Sequence, residues 1–267
     1  MKAALSGPRP FAIAHRGSRL LWPENTMEAF EGAHAIGLRW LETDLHATSD
    51  GVVVCLHDDD LDRTTDGSGP VSAIAFDDLT GLDAGYHHSR DGTHPYRGSG
   101  VRVPRLADVL RRFPDSLLVV DLKQDGIEEA TWAVISGLDA VDRVVVGSFA
   151  DRRLRRFRRV SAGAVAMSTA TVATFVRWSM ASAGLTPPFA DALQVPVTYG
   201  PLPVLGARRV AAYHRAGSQV HVWTVNEEPV MERLLDDGVD GIITDRPDLL
   251  RAVLERRGQW TGGGRVS

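Results

Sequence analysis

Short apolar runs alternate with amphipathic stretches along almost the whole chain. The apolar runs lie at 11–15, 39–45, 51–57, 116–123, 143–149, 162–167, 192–197, 218–225 and 240–245. Between most of them, apolar residues recur at the spacing of a helix face, and several of these stretches close on a glycine, as helix carboxyl ends often do. Repeated strand–helix units predict a parallel sheet covered by helices. About eight such units in 267 residues favour a closed (β/α)8 barrel over an open sheet.

Two features depart from this regular alternation. The runs 39–45 and 51–57 are joined by a short Ser-Asp-Gly turn, which predicts a hairpin-like extension and explains why there is one run too many for eight units. Residues 59–105 are rich in Gly, Asp and aromatic residues and are too long for a simple loop in a compact domain. We therefore expect one α/β domain over 1–267, a (β/α)8 TIM barrel with a small insertion at 59–105, after the second strand region, beside the barrel mouth.

Composition narrows the classes of function. The chain is 43% hydrophobic and 24% charged, with a net charge of −4, so no basic field indicates a nucleic-acid partner. Cys55 is the only cysteine, which rules out an internal disulfide. The amino-terminal sequence lacks the apolar stretch of a secretory signal, and residues 162–185, which contain Arg177, are too polar to cross a bilayer comfortably. A cytoplasmic protein without stable membrane insertion is expected.

Polar side chains are concentrated where the predicted strands end. In a (β/α)8 barrel the carboxyl ends of the strands meet at one mouth, where functional residues gather. The set combines carboxylates for a hard cation, imidazoles for proton transfer, and Arg and Lys for an anionic group, which together indicate phosphoryl transfer with a bound divalent ion. Its members are His15, Arg16, Glu42, Asp44, His57, Asp58, Asp121, Lys123, Trp223 and Asp245.

Glu42 and Asp44 are the most informative pair. Residues i and i+2 of a strand point to the same face, so the two carboxylates face the same way among apolar neighbours. Like charges side by side are costly unless a cation or a proton reconciles them. Mg²⁺ or Ca²⁺ between them, with Asp121 opposite, would keep both ionised. Ligands that are all oxygen argue against zinc.

Structural alternatives exist for several of these residues. His15 and Arg16 could be a polar strand end at a turn, and Glu42 with Asp44 a surface edge pair. Asp121 and Lys123 could form an ion pair, which is compatible with catalysis.

Other positions also allow two interpretations. Asn25 could cap the first helix or contact the mouth. Trp223 could be a core residue or line a substrate pocket. The arginine-rich helix at 151–159 could meet a phospholipid surface, although a solvated outer helix is the simpler interpretation.

The residues also match a known family. The run AHRGSRLLWPENTMEAF at 14–30, followed by ETDLHATSDGVVVCLHDDDLDRTTDG at 42–67, closely resembles the glycerophosphodiester phosphodiesterases. DLK at 121–123, VHVWTVNE at 220–227 and GIITDRPD at 241–248 extend the likeness over nearly the whole chain. The ordered combination of these motifs is highly specific.

This resemblance implies a (β/α)8 barrel that hydrolyses glycerophosphodiesters to glycerol 3-phosphate and an alcohol. It implies that one histidine deprotonates the glycerol C2 hydroxyl for in-line attack on phosphorus. The other protonates the departing alcohol, and water then opens the cyclic phosphate. The sequence does not distinguish the two histidines. By position, the implied roles are general acid and base for His15 and His57, phosphate binding for Arg16 and Lys123, metal binding for Glu42, Asp44 and Asp121, and a pocket wall for Trp223.

One position departs from the family pattern. The family usually has Glu where this chain has Asp121, so the ligand is a methylene shorter and would reach a metal directly or through water. The sequence leaves the leaving alcohol, the choice of Mg²⁺ or Ca²⁺ and homo-oligomer formation open. Two other functions are possible. One is a lysophospholipase D, which would need an apolar groove that the 162–189 segment could supply. The other is a catalytically silent barrel that only binds phosphodiesters or a partner. Retention of both histidines and all three carboxylates counts against the silent barrel.

Overall fold

The computed structural model describes residues 2–200 and 202–261, in which strands and helices alternate as the hydrophobic pattern predicts. The strands are β1 (Phe11–Ala14), β2 (Trp40–Ala47), β3 (Val53–Cys55), β4 (Leu117–Leu122), β5 (Val144–Gly147), β6 (Ala166–Met167), β7 (Ala192–Pro196), β8 (Thr198–Tyr199), β9 (Leu202–Pro203), β10 (Gln219–Trp223) and β11 (Gly241–Thr244). The helices are α1 (Met27–Ala35), α2 (Phe76–Leu79), α3 (Leu106–Arg112), α4 (Glu128–Gly137), α5 (Asp151–Val160), α6 (Thr171–Ser182), α7 (Ala207–Arg215), α8 (Glu228–Asp236) and α9 (Pro247–Arg256).

Eight of the strands form a parallel barrel. Their order is β6-β5-β4-β2-β1-β11-β10-β7, and every neighbouring pair in this order is parallel. A parallel bridge between Ser168 and Ala192 joins the two edges beyond β6. The predicted (β/α)8 barrel is therefore confirmed. The extra apolar run is β3, which pairs antiparallel with β2 as the hairpin-like extension predicted from the turn between them.

Side chains on the barrel strands alternate between two apolar layers. The inner cluster fills the barrel, and its members include Phe11, Ile13, Trp40, Leu117, Val119, Val145, Ala166, Ala192 and Ile243. The intervening residues, such as Ala12, Leu41, Val120 and Val146, face the helices. Because side chains alternate along a strand, the next inward position after Ile13 is His15, and the next after Val119 is Asp121. The alternation thus places polar side chains directly above the apolar filling.

The opposite end of the barrel is closed by the amino-terminal segment. The short 3-10 turn Ala3–Leu5 packs against the inner cluster, and Gln219 Nε2 donates to the Leu5 carbonyl at 2.7 Å. His221 is fully buried next to Gln219, and burial lowers the pKa of its imidazole to about 4. The ring is therefore neutral at pH 7 and forms part of the barrel filling.

Residues 59–105 form a small structured insertion on β3. Its apolar residues surround Val54 and Leu56 in a cluster of their own, which includes Leu61, Val71, Leu79, Ala84, Val101 and Val103. The cluster includes Leu79 of α2, so the insertion has a small apolar core of its own. Arg63 extends from it to Glu24 and Asp58, which brings the insertion to the carboxyl end of the barrel.

Two further details concern the helices. Thr26, rather than Asn25, caps α1, because the Thr26 hydroxyl accepts the Ala29 N–H at 3.3 Å. The capping role considered for Asn25 was therefore wrong, and its side chain is turned to β2 instead. In the described part of the chain, none of the helices is long and apolar enough to cross a membrane.

Candidate active site

The predicted site residues converge at the carboxyl ends of the barrel strands. His15 and Arg16 follow β1 in a tight 3-10 turn, Glu42 and Asp44 lie inward on β2, and Asp121 is the last residue but one of β4. Arg16 has a left-handed φ of 50°, and its backbone N–H donates to Glu42 Oε2 at 2.8 Å. A non-glycine residue in this region of φ is uncommon and is often found at functional sites.

His15 is held by a buried carboxylate. Its Nδ1 lies 2.7 Å from Oδ1 of Asp245, the residue that follows β11. Asp245 also accepts from Asn226 Nδ2 at 3.0 Å and from Arg19 Nε at 3.1 Å. Burial lowers the pKa of His15, but the Asp245 hydrogen bond and the charges of Glu42 and Asp245 outweigh it, so the net pKa is raised. The bond from Nδ1–H to the carboxylate leaves Nε2 as the ring nitrogen that could take up or release a proton.

His57 has a carboxylate partner of a different kind. Its Nδ1 lies 2.6 Å from Asp58 Oδ1, but Arg63 also binds Asp58 through Nε at 2.5 Å. The pKa of His57 is lowered, first by burial and then by the charges of Arg16 and Lys123, which outweigh the raising effects of Asp44 and Asp58. The surroundings of the two histidines therefore shift their pKa values in opposite directions.

Arg16 neutralises acidic residues at the mouth. Its guanidinium donates to Glu24 at 2.9 Å, and its Nε lies 3.1 Å from Asp44 Oδ2. That Nε has no aligned hydrogen-bond acceptor, so the contact with Asp44 is an ion pair only. Burial lowers the pKa of Arg16, but the charges of Asp44, Glu24 and Glu42 raise it above its usual value.

Lys123 lies between two carboxylates on neighbouring strands. Its Nζ is 2.7 Å from Asp121 Oδ2 and 3.0 Å from Asp44 Oδ1. Asp44 and Asp121 are register partners on β2 and β4, which explains how a single ammonium reaches both. The ion pair between Asp121 and Lys123 considered from the sequence is therefore present, and Asp44 belongs to it as well.

The pKa values of the carboxylates show the repulsion between like charges that the spacing of Glu42 and Asp44 predicted. Burial and the nearby charge of Asp44 raise the pKa of Glu42 to about 7. Asp44 keeps a lowered pKa, because Lys123, Arg16 and His57 outweigh the effect of its burial. Burial and Asp44 also raise the pKa of Asp121, whose Oδ1 is buried without a hydrogen-bond partner.

The chemistry of this set fits a hard divalent cation, although the side chains are not arranged around one. Within residues 2–200 and 202–261, no group of three or more His, Cys, Asp or Glu side chains is positioned as a metal site. Lys123 supplies the positive charge between Asp44 and Asp121. Nevertheless, the buried Asp121 Oδ1 has no hydrogen-bond partner, and the charge of Asp44 together with burial raises the pKa of Glu42, so the chemistry of both carboxylates suits a hard cation.

An aromatic wall stands next to Lys123. The Lys123 ammonium lies 5.2 Å from the centroid of the Phe149 ring, and Phe149 packs edge-on against Trp223 at 5.5 Å. Trp223 is partly buried and also contacts the inner apolar cluster, so it has both the core contacts and the position at the mouth considered from the sequence. Phe149 is 56% exposed and was not identified from the sequence, where it was the last residue of an apolar run.

A neutral polar wall lies on the other side of Asp121. Gly147 is its register partner on β5, and a Cβ on Gly147 would lie 3.1 Å from Ser168 Oγ and 3.2 Å from Gln194 Oε1. Because glycine has no side chain, the mouth stays open at this point. Gly147, Ser168 and Gln194 were not identified from the sequence, since none of them carries a charge or belongs to a motif that the chain shares with the family it resembles.

Asn25 and Asn226 were also underestimated as site residues. Asn25 Oδ1 accepts from the Thr43 hydroxyl at 2.7 Å, and its Nδ2 donates to Asp44 at 3.1 Å. Asn226 Oδ1 accepts the backbone N–H of Asp245 at 2.8 Å. Asn25 belongs to the PENT motif and Asn226 to the VNE motif, and these motifs are the sequence signals that could have indicated the two residues. Asn25 thus positions Asp44, which pairs with Arg16 and Lys123. Asn226 positions Asp245, which binds His15.

Comparisons with known proteins show the family of the chain. The model of the glycerophosphoryl diester phosphodiesterase family matches residues 15–249. The "Probable glycerophosphodiester phosphodiesterase 2" of Mycobacterium tuberculosis is 40% identical over 259 residues, covering 94% of this chain and 93% of that protein. The glycerophosphodiester phosphodiesterase of Caldanaerobacter subterraneus is 30% identical over 264 residues, covering 94% of this chain and all of that protein.

Solved structures agree at the level of the fold. The glycerophosphoryl diester phosphodiesterase domain of Rv2277c from Mycobacterium tuberculosis has a TM-score of 0.83 at 23% identity and covers 92% of this chain and 99% of that one. An Oleispira antarctica phosphodiesterase, solved with the product sn-glycerol-3-phosphate, has a TM-score of 0.74 at 25% identity, covering 92% of this chain and 97% of that one. Family match, identity and fold together show that the chain belongs to the glycerophosphoryl diester phosphodiesterase family of enzymes.

Proposed function

We propose that this chain hydrolyses small glycerophosphodiesters to glycerol 3-phosphate and an alcohol, with His57 and His15 as the proton-transfer pair. The observation that carries the proposal is the pair of histidines, each hydrogen-bonded through Nδ1 to its own carboxylate, together with two cations, Arg16 and Lys123, that both pair with Asp44. The product found in the Oleispira antarctica phosphodiesterase supports the same substrate class here.

The opposite pKa shifts favour a division of labour between the histidines. His57, whose pKa is lowered, is neutral at pH 7 and suited to take the proton of the glycerol C2 hydroxyl through Nε2. His15, whose pKa is raised, is suited to give its proton to the departing alcohol. The C2 oxygen attacks phosphorus in line, the bond to the alcohol oxygen breaks, and a cyclic phosphate forms. Water then opens the ring with the two histidines in reversed roles.

Arg16 and Lys123 hold the phosphate in this scheme. Both are cations in a largely buried setting, where a charge-assisted hydrogen bond to a phosphoryl oxygen is stronger than in water. Arg16 is fixed by Glu24 and by its own backbone bond to Glu42, so its guanidinium is preorganised. Trp223 and Phe149 would border the bound diester.

Glu42, Asp44 and Asp121 would hold Mg²⁺ or Ca²⁺. When bound, the ion supplies positive charge that polarises the phosphoryl oxygens and the C2 hydroxyl. The three carboxylates bring the negative charge that such an ion needs, and the unpartnered Asp121 Oδ1 offers a free lone pair despite the shorter side chain. In this arrangement Lys123 would share Asp44 and Asp121 with the ion.

The test is release of glycerol 3-phosphate from glycerophosphocholine by the purified protein. It is run with EDTA, with Mg²⁺ or Ca²⁺ restored, and with His15→Ala as the matched inactive variant. Metal-restored turnover that His15→Ala abolishes is the expected result. Cleavage of lysophosphatidylcholine in place of glycerophosphocholine would replace the substrate class. No turnover on either, despite measurable metal binding, would make a silent binding barrel the better account.

A further inference from the structure

Helix α6 presents its apolar face to solvent. Val172, Phe175 and Val176 recur at helical spacing, and they are 65%, 64% and 48% exposed. Ala181 is the one fully buried residue among those of α6. A surface helix of a globular protein normally turns such a stripe to the core. Here the stripe faces outward, so this helix has an unpartnered apolar face.

The exposed apolar surface continues beyond the helix. Leu185 and Phe189 follow α6 and are 56% and 58% exposed. Arg177 binds the carbonyls of Pro188 and Phe189, which folds this segment back along the helix. We call Val172, Phe175, Val176, Leu185 and Phe189 the α6 patch.

The start of the α6 patch lies near the candidate active site. The backbone N–H and the hydroxyl of Thr171, the first residue of α6, both donate to the Phe149 carbonyl, at 3.3 and 3.0 Å. Phe149 in turn lies over Lys123 and against Trp223. The start of α6 is therefore tied to Phe149, the exposed aromatic residue beside Lys123, and the α6 patch leads away from this point.

A strongly basic helix lies beside the patch. Helix α5 carries six arginines against one aspartate, and Asp151 accepts the Val172 N–H at 3.1 Å, which joins the first turns of α5 and α6. Arg152 and Arg153 are paired with Asp125. The remaining exposed arginines include Arg155, Arg158 and Arg159, which have no ion pair with any residue of the described ranges.

We propose that the α6 patch and helix α5 dock this enzyme on an anionic lipid surface. Apolar side chains beside unpaired arginines are the combination by which interfacial helices bind anionic bilayers. The same charge argues against a second copy of the chain, since a two-fold contact through this face would set two α5 helices of like sign together. The link from α6 to Phe149 adds a reason for lipid: an enzyme docked this way has its mouth near phosphodiesters released at the bilayer. That last point rests on the proposed function, whereas the docking itself does not.

The experiment is co-sedimentation of the full chain with vesicles of phosphatidylcholine alone and of phosphatidylcholine mixed with phosphatidylglycerol. The probes are Phe175→Ser with Val176→Ser, and Arg155→Gln with Arg158→Gln. Arg111→Gln, on α3, is the matched surface control. We expect binding to the anionic vesicles that weakens at high salt. Each arginine removed from α5 should weaken it about fivefold. The serine variant should lose it, and the control should keep it.

Several outcomes would overturn the proposal. These are no sedimentation with anionic vesicles, equal binding to both vesicle types, or a dimer in sedimentation equilibrium that Phe175→Ser with Val176→Ser dissociates. Circular dichroism and turnover of glycerophosphocholine, measured on the same samples, report on folding and on the proposed function separately. A chain that binds anionic vesicles but turns over no diester would refute the function and leave the docking surface standing.

Discussion

His15 and Asp245 lie 230 residues apart in the chain, yet their side chains meet at 2.7 Å across neighbouring barrel strands. Asp245 is fully buried and orients the imidazole while raising its pKa. His57 and Asp58 are adjacent in the chain, and Arg63 takes up part of the Asp58 charge. Two histidine–carboxylate pairs of unequal strength thus face one mouth. The difference between them leads to two separate pH predictions.

Asp245→Asn should move the alkaline limb of the pH profile. The Asp245 hydrogen bond and charge raise the pKa of His15, so removing the charge lowers that pKa. Because His15 must be protonated to act as the acid, activity should be lost at a lower pH than in the wild type. The value of kcat should also fall by about 10²- to 10⁴-fold, since the ring loses its orientation. The measurement is kcat/KM for glycerophosphocholine across pH.

Asp248→Asn is the matched control for this change. Asp248 lies three residues further on and pairs with Arg246 at 2.8 Å on the surface. Its profile should coincide with that of the wild type. An alkaline limb that stays in place in Asp245→Asn would contradict the assignment of His15 as the acid.

Asp58→Asn should move the acidic limb instead. The Asp58 hydrogen bond raises the pKa of His57, so its loss lowers that pKa further below the usual histidine range. Because His57 must be neutral to act as the base, activity should extend to lower pH while the alkaline limb stays where it is. Asp59→Asn, next in the chain with a side chain 89% exposed, is the control. A shift of the alkaline limb alone would reverse the roles of the two histidines.

The barrel and the convergence of the site could be predicted from the sequence, because both follow from local patterns. A period of two places Glu42 and Asp44 on one face, and strand ends of a parallel barrel share one mouth. Which side chains pair there depends on register between strands distant in the chain. The register of Asp44 with Asp121 puts Lys123 between them, a contact that no local pattern specifies.

Other residues of the site had no sequence signal, because they matter through the absence of a side chain or through contacts with residues distant in the chain. Gly147 matters through the side chain that it lacks, and Phe149 through its contacts with Lys123 and Trp223. The outward turn of α6 was equally hidden, since helical periodicity shows that an apolar face exists but not which way it points.

Glu42→Gln should flatten the pH dependence of stability in the metal-free protein. The folded pKa of Glu42, about 7, lies above its unfolded value, so the folded state binds the proton more tightly. Stability is then lost as the pH rises from about 4.5 to about 7, by roughly 1–3 kcal/mol. Glutamine has no proton to lose, so that part of the slope should vanish in the variant.

Urea unfolding at pH 5 and pH 8 in EDTA measures this slope. Glu129→Gln, an exposed position on α4, should keep the wild-type slope. Mg²⁺ or Ca²⁺ should stabilise the wild type more at pH 8 than at pH 5, because the ion binds the ionised carboxylate. Equal slopes in wild type and Glu42→Gln would mean that Glu42 ionises as readily folded as unfolded.

Gly147→Ala should narrow the mouth next to Asp121 without disturbing the catalytic groups. The added Cβ would lie 3.1 Å from Ser168 Oγ and 3.2 Å from Gln194 Oε1, so both polar side chains must shift by a few tenths of an ångström. Substrate held between Asp121 and this wall loses room, and we expect KM for glycerophosphocholine to rise while the pH profile stays unchanged.

Val146→Ile is the matched control, because it also adds one carbon to β5 but points to the outer apolar cluster. Both variants should cost about 1–3 kcal/mol of stability. Since only Gly147→Ala faces the mouth, an equal rise of KM in the two variants would show that strain in β5, rather than the width of the mouth, governs substrate binding.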